Sequence, residues 1–457
     1  MSSAEEYGMF EKYEEALEMI DPIKYTGTVQ RVRGLLIESH GPQVEVGELC
    51  QVLVGEEEER VLWAEVIGFD GQNVQLMGFD DMEGIEPGCT VVAMGRALSV
   101  AVSERLLGRV VNSMGKPIDG KGAVGSLRSV STVGSSPEVL FRKPITDRMI
   151  TGVRAIDGMT AVGKGQRIGI FSGSGVGKST LLGIIARKTR ADVNVIALIG
   201  ERGREVQEFI ENDLGKEGLE RSVLVVSTSD TSPLARVRGA FVATSIAEYF
   251  RDSGKNVMLL FDSITRFARA RREMGLTLGE PPATRGFTPS VFSTLPKLLE
   301  RCGNSDKGTI TGFYTILVEG DDMDEPIADA VRGILDGHIV LSRRLAQAYH
   351  YPAVDVLSSL SRLATKVTNK DEQQAAGKLR RLLATYTESE DLINVGAYEE
   401  GSNAEIDEAI EKIDGIWDFL SQDVEERALP SDTLRRLSRL SGVEIQIPEK
   451  LDEAVSV

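Results

Sequence analysis

Residues 168–180 read IGIFSGSGVGKST: a short apolar run, a loop rich in glycine and serine, then a lysine followed by two hydroxyl residues. A loop of small residues lets successive backbone N–H groups point at phosphate oxygens, and the N-terminus of a following helix adds its positive dipole. The lysine of such a loop reaches the β- and γ-phosphates, and the next hydroxyl binds Mg²⁺. The stretch therefore predicts a site for a nucleoside triphosphate with Mg²⁺. The predicted nucleotide-binding residues are Gly173, Ser174, Gly175, Val176, Gly177, Lys178, Ser179 and Thr180, with Ser179 also a metal ligand.

The residues on either side of the loop support this prediction. RIGIF at 167–171 is a strand pattern and LLGIIAR at 181–187 is a helix pattern, and a phosphate loop requires this order. The strict pattern GxxxxGK[ST], counted back from Gly177, expects glycine at 172, where this chain has Ser172. Serine is small enough to preserve the turn. A glycine-rich turn without a ligand is therefore the less favoured alternative.

A second strand pattern, NVMLLFD at 256–262, ends in a carboxylate. Ligands of parallel α/β sheets bind at the carboxyl ends of the strands, which places Asp262 on the nucleotide side of the sheet. There it would hold Mg²⁺, directly or through water. An aspartate that merely begins a loop is the alternative, and the phosphate loop in the same chain disfavours it.

Charged residues, ERGRE at 201–205, follow a third strand pattern, VIALIG. Hydrolysis needs a group that positions water and a cation that meets the charge on the γ-phosphoryl group. We predict that Glu201 polarises the water and that Arg202 meets the γ-phosphate. A solvated charged loop that opens the helix REVQEFI accounts for the same residues equally well.

The periodicity of the chain changes along its length and predicts five segments. Residues 1–24 form an amphipathic helix, with Phe10, Tyr13, Leu17 and Ile20 on one stripe. Short strand patterns over 25–100, with a hairpin turn at Asp70-Gly71, predict a small β-barrel or sandwich. Residues 101–144 are a linker into the next domain.

Apolar strand patterns alternate with helical stretches over 145–365, which is typical of a parallel sheet covered on both faces. Residues 366–457 read as a helical domain, and Ser402-x-x-Glu405 is a candidate capping box. The predicted fold class is therefore α/β: a RecA-like parallel-sheet ATPase domain with an N-terminal β-barrel and a C-terminal helical domain.

The composition excludes several other classes of protein. With 52 basic and 70 acidic residues the net charge is −18, which is unfavourable for binding nucleic acid. Three scattered cysteines, at 50, 89 and 302, indicate reduced thiols rather than a disulfide framework or zinc site. We also expect neither a membrane span nor a secretory signal.

Seven stretches together resemble one family. They are GSGVGKS, GERGRE, DSITRFARARRE, GEPPATRG, VEGDD, ILDGHIVLSRR and YPAVDVLSSLSR, in this order. The set resembles the ATPases of bacterial type III protein export, most of all the flagellar export ATPases, which are similar to the catalytic subunits of rotary ATP synthases. The resemblance runs from about residue 25 to the C-terminus, is strongest over 145–365, and includes LLGRVVNSMGKPIDG at 106–120.

The resemblance implies roles for four residues. Lys178 matches the phosphate-loop lysine and Glu201 the catalytic carboxylate. Arg362, in LSSLSR, matches the arginine finger that completes a neighbouring subunit's site, and Tyr351, in YPAVD, matches the aromatic residue that packs on adenine. A surface arginine and an ordinary core tyrosine are the alternatives for the last two.

The family further implies a homohexameric enzyme that uses ATP and Mg²⁺ to unfold, release or export proteins. Its implied partners are a stator-like regulator at the N-terminal helix, a stalk-like protein in the hexamer pore, export chaperones and substrates at the C-terminal domain, and an export gate at the membrane. The enzyme would be cytoplasmic and peripheral at the inner face of the cytoplasmic membrane. Six Glu against Lys12 in residues 1–20 favour a protein partner over anionic lipid there.

Two other functions stay open at this point. A rotary ATP synthase or ion-pump subunit would have nearly the same phosphate chemistry but different partner chains. A hexameric RNA translocase also has a β-barrel before its ATPase domain, although the acidity of the chain counts against it. Within type III export, IADAVRGILDGH at 327–338 favours the flagellar system over the injectisome.

Overall fold

The structure is a computed structural model that describes residues 24–55, 60–125, 128–138, 140, 142–448 and 451–452. The amphipathic helix predicted for the first 24 residues lies, apart from Lys24, outside the described residues. The chain divides into two compact units, one ending at Leu98 and the other beginning at Ser99.

The first unit is a small antiparallel β structure with an apolar core of its own. Its described strands are β1 (Thr26–Arg33), β2 (Leu36–His40), β3 (Glu48–Val54), β4 (Arg60–Asp70), β5 (Asn73–Gly78) and β6 (Thr90–Ala97). They close into a barrel in the order β1-β2-β5-β4-β3-β6. The core includes Cys50 and Val52, two residues apart on β3, as the period of a strand requires. The hairpin predicted at Asp70-Gly71 joins β4 to β5, with Gly71 at φ 60°.

The second unit is built on a large, mainly parallel sheet. The described strands of this unit are β7 (Ser99–Ala101), β8 (Arg109–Val111), β9 (Ser129–Ser131), β10 (Arg148–Met149), β11 (Val162–Gly163), β12 (Arg167–Ser172), β13 (Val193–Ile199), β14 (Ser222–Ser227), β15 (Asn256–Asp262), β16 (Gly303–Asn304), β17 (Thr309–Leu317), β18 (Gly337–Leu341) and β19 (Val354–Ser361). Of these, β7 pairs with β9 and β10 with β11 in separate two-stranded sheets. The sheet has the order β19-β18-β12-β17-β15-β13-β14-β8, with β16 paired to β17. Strands β18 to β8 in this order pair in parallel, and β19 is antiparallel to β18. Every residue of β13 and β14 is buried, as in a sheet covered on both faces.

Helices cover this sheet and continue into the C-terminal region. The described α-helices are α1 (Arg154–Met159), α2 (Lys178–Lys188), α3 (Gly203–Glu208), α4 (Gly215–Glu220), α5 (Pro233–Asp252), α6 (Ile264–Thr277), α7 (Pro289–Leu299), α8 (Pro326–Ile334), α9 (Arg343–Gln347), α10 (Ala364–Val367), α11 (Lys370–Asn394), α12 (Ala404–Leu420) and α13 (Pro430–Ser441), and a π-helix, Phe209–Leu214, joins α3 to α4. The last three share one apolar core with the sheet domain, in which Leu379, Ile413 and Leu434 lie with Ile156 of α1. None of the helices in the described ranges is long and apolar enough to cross a membrane.

The predicted fold class is confirmed, with one correction at a helix terminus. The cap of α12 is Asn403 rather than Ser402: the side-chain oxygen of Asn403 accepts a hydrogen bond from the backbone N–H of Glu405 at 2.9 Å. Asparagine caps a helix as well as serine does, so the adjacent residue with the better reach takes the position. The predicted capping box at Ser402 is therefore wrong by one residue.

Candidate active site

The phosphate loop lies between the end of β12 and the start of α2. Gly175 and Gly177 have φ of 76° and 86°, a left-handed conformation that residues with a Cβ rarely adopt. Gly177 precedes the first turn of α2, so the unpaired N–H groups of that turn face the loop. This local backbone suits an anion, and the phosphate-binding role of the loop stays a prediction.

The loop forms one wall of a cavity of about 930 Å³. Among the described residues, the other walls come from the segment after β13, from α6, from the turn before β19 and from the segment that joins α12 to α13. Predicted site residues that line the cavity are Gly173, Ser174, Gly175, Gly177, Lys178, Ser179, Thr180, Glu201 and Tyr351. Val176 is instead buried in the hydrophobic core below the loop. The cavity thus brings together residues from widely separated parts of the second unit.

Lys178 lies between two carboxylates. Its amino group contacts Oδ1 of Asp262 and lies 3.5 Å from Oε1 of Glu201. Both acidic residues are almost fully buried, with exposed fractions of 5% and 7%. Buried carboxylates require charged or hydrogen-bonding partners, and Lys178 supplies a charge to both. The three residues predicted for phosphate, metal and water therefore meet at one point.

The residues near Asp262 fit a magnesium ion. Asp262 ends β15, and the hydroxyl of Thr315 donates a hydrogen bond to its Oδ1 at 2.7 Å, which fixes the carboxylate. Ser179 lines the cavity one residue after Lys178, whereas Asp262 is not among the described lining residues and meets the site through its contact with Lys178. The described residues include no cluster of three or more His, Cys, Asp or Glu side chains suited to a metal. The carboxylate of Asp262 and the hydroxyl of Ser179 suit Mg²⁺, which usually takes one or two protein ligands and completes its shell with phosphates and water.

Glu201 also pairs with Arg266, a residue that the sequence reasoning did not single out. Arg266 belongs to the first turn of α6, which Ser263 caps, and its guanidinium contacts Oε1 of Glu201. Burial lowers the pKa of Arg266, and the charge of Arg269 adds a smaller effect in the same direction. The only available signal was its position one turn after Asp262. Arg266 therefore fixes the orientation of Glu201, the carboxylate that we predict to polarise the water.

Two predicted arginines do not line the described cavity. The Arg202 side chain is 79% exposed and pairs with Glu205 at 3.2 Å. Arg362 is exposed just beyond β19, and its guanidinium donates to the backbone oxygen of Arg332 at 3.3 Å. Their assigned roles remain predictions.

Tyr351 lies directly over the phosphate loop. A Cβ on Gly177 would come within 3.2 Å of the Tyr351 ring, so glycine is needed there for close approach as well as for its backbone angle. Tyr349 lines the same part of the cavity. A planar base bound beside the phosphates would therefore meet aromatic side chains.

Another wall of the cavity comes from the C-terminal region, and the sequence reasoning missed it. Ser421, Gln422, Asp423, Val424 and Glu426 line the cavity although they lie far from the loop in the sequence. Nothing in their local pattern indicates a nucleotide site, since their position depends on how the C-terminal helices pack.

Buried hydrogen bonds fix this wall to the sheet domain. The backbone N–H of Arg154 donates to Oε1 of Gln422 at 2.8 Å, and Nε2 of Gln422 donates to the backbone oxygen of Gly152 at 2.9 Å. The Arg154 side chain, 1% exposed, donates to the oxygen of Ser421 at 3.0 Å and contacts Glu426. Position and rigidity of the wall therefore depend on α1.

Comparison with known protein families assigns all three parts of the chain. Residues 29–95 match the beta-barrel domain of the ATP synthase alpha/beta family, and residues 152–361 match its nucleotide-binding domain. Residues 368–439 match the T3SS EscN ATPase C-terminal domain.

Individual proteins and structures are similar over nearly the whole chain. The flagellum-specific ATP synthase of Treponema pallidum (strain Nichols) is 60% identical over 437 residues, covering 96% of this chain and 98% of the relative. The assembled ATPase EscN of the enteropathogenic E. coli type III secretion system matches with a TM-score of 0.87 and 44% identity, covering 91% of this chain and all of that one. EscN in complex with its central stalk EscO matches with a TM-score of 0.84 and 43% identity, with the same coverage.

Proposed function

The chain belongs to the ATP synthase alpha/beta family, in its flagellar and type III secretion branch, and on that premise we propose that it hydrolyses ATP to drive flagellar protein export. The observation that carries the proposal is the meeting of Lys178, Glu201 and Asp262 at the N-terminus of α2. Each group has a separate task in phosphoryl transfer, and the fold brings the carboxylates of Glu201 and Asp262 to the amino group of Lys178.

The substrate triphosphate binds along the loop. Backbone N–H groups of the loop and of the first turn of α2 cradle the phosphate oxygens, and Lys178 neutralises charge on the β- and γ-phosphates. Ser179 and Asp262 are the residues that would hold Mg²⁺, which neutralises phosphate charge when bound. Tyr351 packs against the base.

Glu201 accepts a hydrogen bond from the attacking water and orients it towards the γ-phosphorus. Arg266 fixes the carboxylate from α6, while Thr315 fixes Asp262 from β17, so both acids are preorganised. Arg202 meets the γ-phosphate after a change in its side-chain conformation, because it now points to solvent beside Glu205.

The active enzyme is a homohexamer in which Arg362 completes the site of the next subunit. Two observations support this: Arg362 is exposed, and it lies outside the described lining of its own chain's cavity. A residue that acts on a neighbour must be presented at the surface. The similarity to an assembled ATPase supports the same arrangement.

We propose the remaining partners and the location from the family resemblance. A stalk-like protein occupies the hexamer pore, as the similarity to EscN with its central stalk EscO supports. Export chaperones and substrates bind the C-terminal domain, a stator-like regulator binds residues 1–24, and the export gate at the membrane receives the substrates. The enzyme works in the cytoplasm at the inner face of the cytoplasmic membrane.

A flagellar role is favoured over an injectisome role by identity. The flagellum-specific relative of Treponema pallidum is 60% identical, whereas the type 3 secretion system ATPase of Xanthomonas euvesicatoria is 50% identical. The rotary ATP synthase alternative is not favoured, because residues 368–439 match the C-terminal domain of the type III secretion ATPase. The same match disfavours the RNA translocase alternative.

The deciding experiment measures ATPase rate against protein concentration, with and without a flagellar export chaperone. We expect specific activity to rise with concentration as subunits assemble, and to change when chaperone is added. A rate per subunit that is constant from dilute monomer to hexamer contradicts the shared site. Stimulation by RNA but not by chaperone contradicts the export function.

A further inference from the structure

Tyr349 occupies a backbone position that normally belongs to glycine. Helix α9 ends in a Schellman motif: the N–H of His350 donates to the oxygen of Leu345 at 2.9 Å, and the N–H of Tyr349 donates to the oxygen of Ala346 at 3.1 Å. The residue at this point of the motif takes a left-handed conformation, and Tyr349 has φ 60°. For a bulky residue this conformation is costly, and glycine or asparagine would adopt it more easily.

Packing within the chain does not account for the tyrosine. Tyr349 is 88% exposed, so its ring gains little from burial. Its neighbours hold the turn without it: the Nδ1 of His350 lies 2.9 Å from the hydroxyl of Ser421, and its ring packs edge-on against Trp417. Strained residues at ligand sites commonly have a functional reason, which here must involve something outside this packing.

The ring of Tyr349 faces the cavity beside the tyrosine already assigned to the base. The centroids of Tyr349 and Tyr351 are 5.7 Å apart and their planes meet at 86°. Two rings at a right angle form a corner, so a planar heterocycle stacked on one ring meets the other at its edge. Both residues line the cavity that contains the phosphate loop.

We propose that Tyr349 is a second base-binding residue, and that with Tyr351 it forms an aromatic corner selective for purine over pyrimidine nucleotides. The inference rests on the proposed nucleotide site and adds a specificity determinant to it. A purine has the larger ring system and gains more contact from the second wall than a pyrimidine does. The cost of the left-handed tyrosine is offset only when the base is bound.

The test separates strain from binding with three substitutions. Tyr349→Asn and Tyr349→Gly remove the ring and relieve the backbone, whereas Tyr349→Phe keeps both ring and strain. Calorimetry with Mg²⁺ and ADP, CDP or inorganic pyrophosphate measures binding without hydrolysis. Comparison of the three affinities separates the contribution of the base from that of the phosphates. The melting temperature without nucleotide reports the strain.

We expect Tyr349→Asn and Tyr349→Gly to melt no lower than wild type, yet to bind ADP about tenfold more weakly. Their affinity for CDP should fall less, their affinity for pyrophosphate should not change, and Tyr349→Phe should bind like wild type. ADP affinity unchanged in Tyr349→Asn overturns the inference, as does an equal loss for ADP and pyrophosphate. A loss of hexamer formation with intact ADP binding also overturns the inference, because it would place Tyr349 at a subunit contact. A wild-type protein that binds neither ADP nor pyrophosphate contradicts the proposed function instead.

Discussion

The amino group of Lys178 lies 3.5 Å from the carboxylate of Glu201, which joins the first residue of α2 to the segment after β13. The same amino group contacts Asp262 at the end of β15. Removing one charge changes the electrostatic interactions of the other two groups, because all three are largely shielded from water. Nucleotide binding and turnover should therefore be measured separately for variants at this cluster.

Glu201→Gln keeps the shape of the side chain and removes its negative charge. We expect ATP binding to persist while kcat falls about 10²-fold or more, because the amide no longer polarises the water. Lys178→Ala should lose hydrolysis through loss of its charge towards the phosphates. Glu205→Gln, at a half-buried neighbour that also lines the cavity, should stay near wild type. Near-normal turnover in Glu201→Gln would move the water-positioning role to Glu205 or another carboxylate.

Arg266→Gln removes the guanidinium that contacts Glu201. We expect kcat to fall about tenfold or more with little change in ADP affinity, because the carboxylate loses its fixed orientation. Arg266→Lys should recover part of the rate, since a charge returns without the planar group. Arg202→Gln is the matched comparison, and an equal loss there would support its predicted contact with the γ-phosphate. Normal kcat in Arg266→Gln would leave Arg266 with a structural role only.

Mixing two inactive variants tests the arginine finger. Arg362→Ala should assemble but lose about 10³-fold or more in rate, and Glu201→Gln is inactive through its own site. In randomly mixed rings, about a quarter of all sites join an intact Glu201 to a neighbour's intact Arg362, so activity should return on mixing. Each variant alone at the same total concentration is the control. No recovery in verified mixed hexamers would place Arg362 in its own chain's site or outside catalysis.

Stability should depend on pH through His350. Burial against α12 lowers the pKa of His350 below its usual 6.5, and burial also lowers the pKa of His338. The unfolded chain therefore binds protons more readily, and the free energy of unfolding falls as pH drops below about 6.5. We expect the melting temperature to fall between pH 7.5 and 5.5, and to fall less in His350→Gln. An identical fall in both proteins would exclude His350 as a contributor.

Deleting residues 2–20 tests the predicted N-terminal partner surface. We expect basal ATPase activity to remain and binding of the stator-like regulator in a pull-down to be lost, because the apolar stripe of that segment is the contact. The double substitution Phe10→Glu and Leu17→Glu in the full chain should have the same effect without shortening it. Retained regulator binding, or unfolding of the truncated protein, would show that the stripe packs within the chain.

The sequence alone predicted the parts of the candidate site that depend on local structure. The phosphate loop, Asp262 and Glu201 each follow an apolar strand, and parallel strands bring their carboxyl ends to one edge of a sheet. The turns at the glycines of the loop and at Asp70-Gly71 were also predictable from sequence, because glycine adopts positive φ angles that other residues rarely adopt. The family resemblance rests in part on the stretches that contain the phosphate loop, Glu201 and Asp262.

Tertiary structure decided the contacts between residues far apart in the chain. Arg266 meets Glu201 because α6 and the end of β13 lie side by side, and Gln422 reaches the cavity because the C-terminal helices pack on α1. The corner of Tyr349 and Tyr351 needs the backbone angles of a particular turn as well as the two aromatic residues. Periodicity and motifs report which face of an element is buried, whereas the partner on that face is chosen by packing over the whole domain.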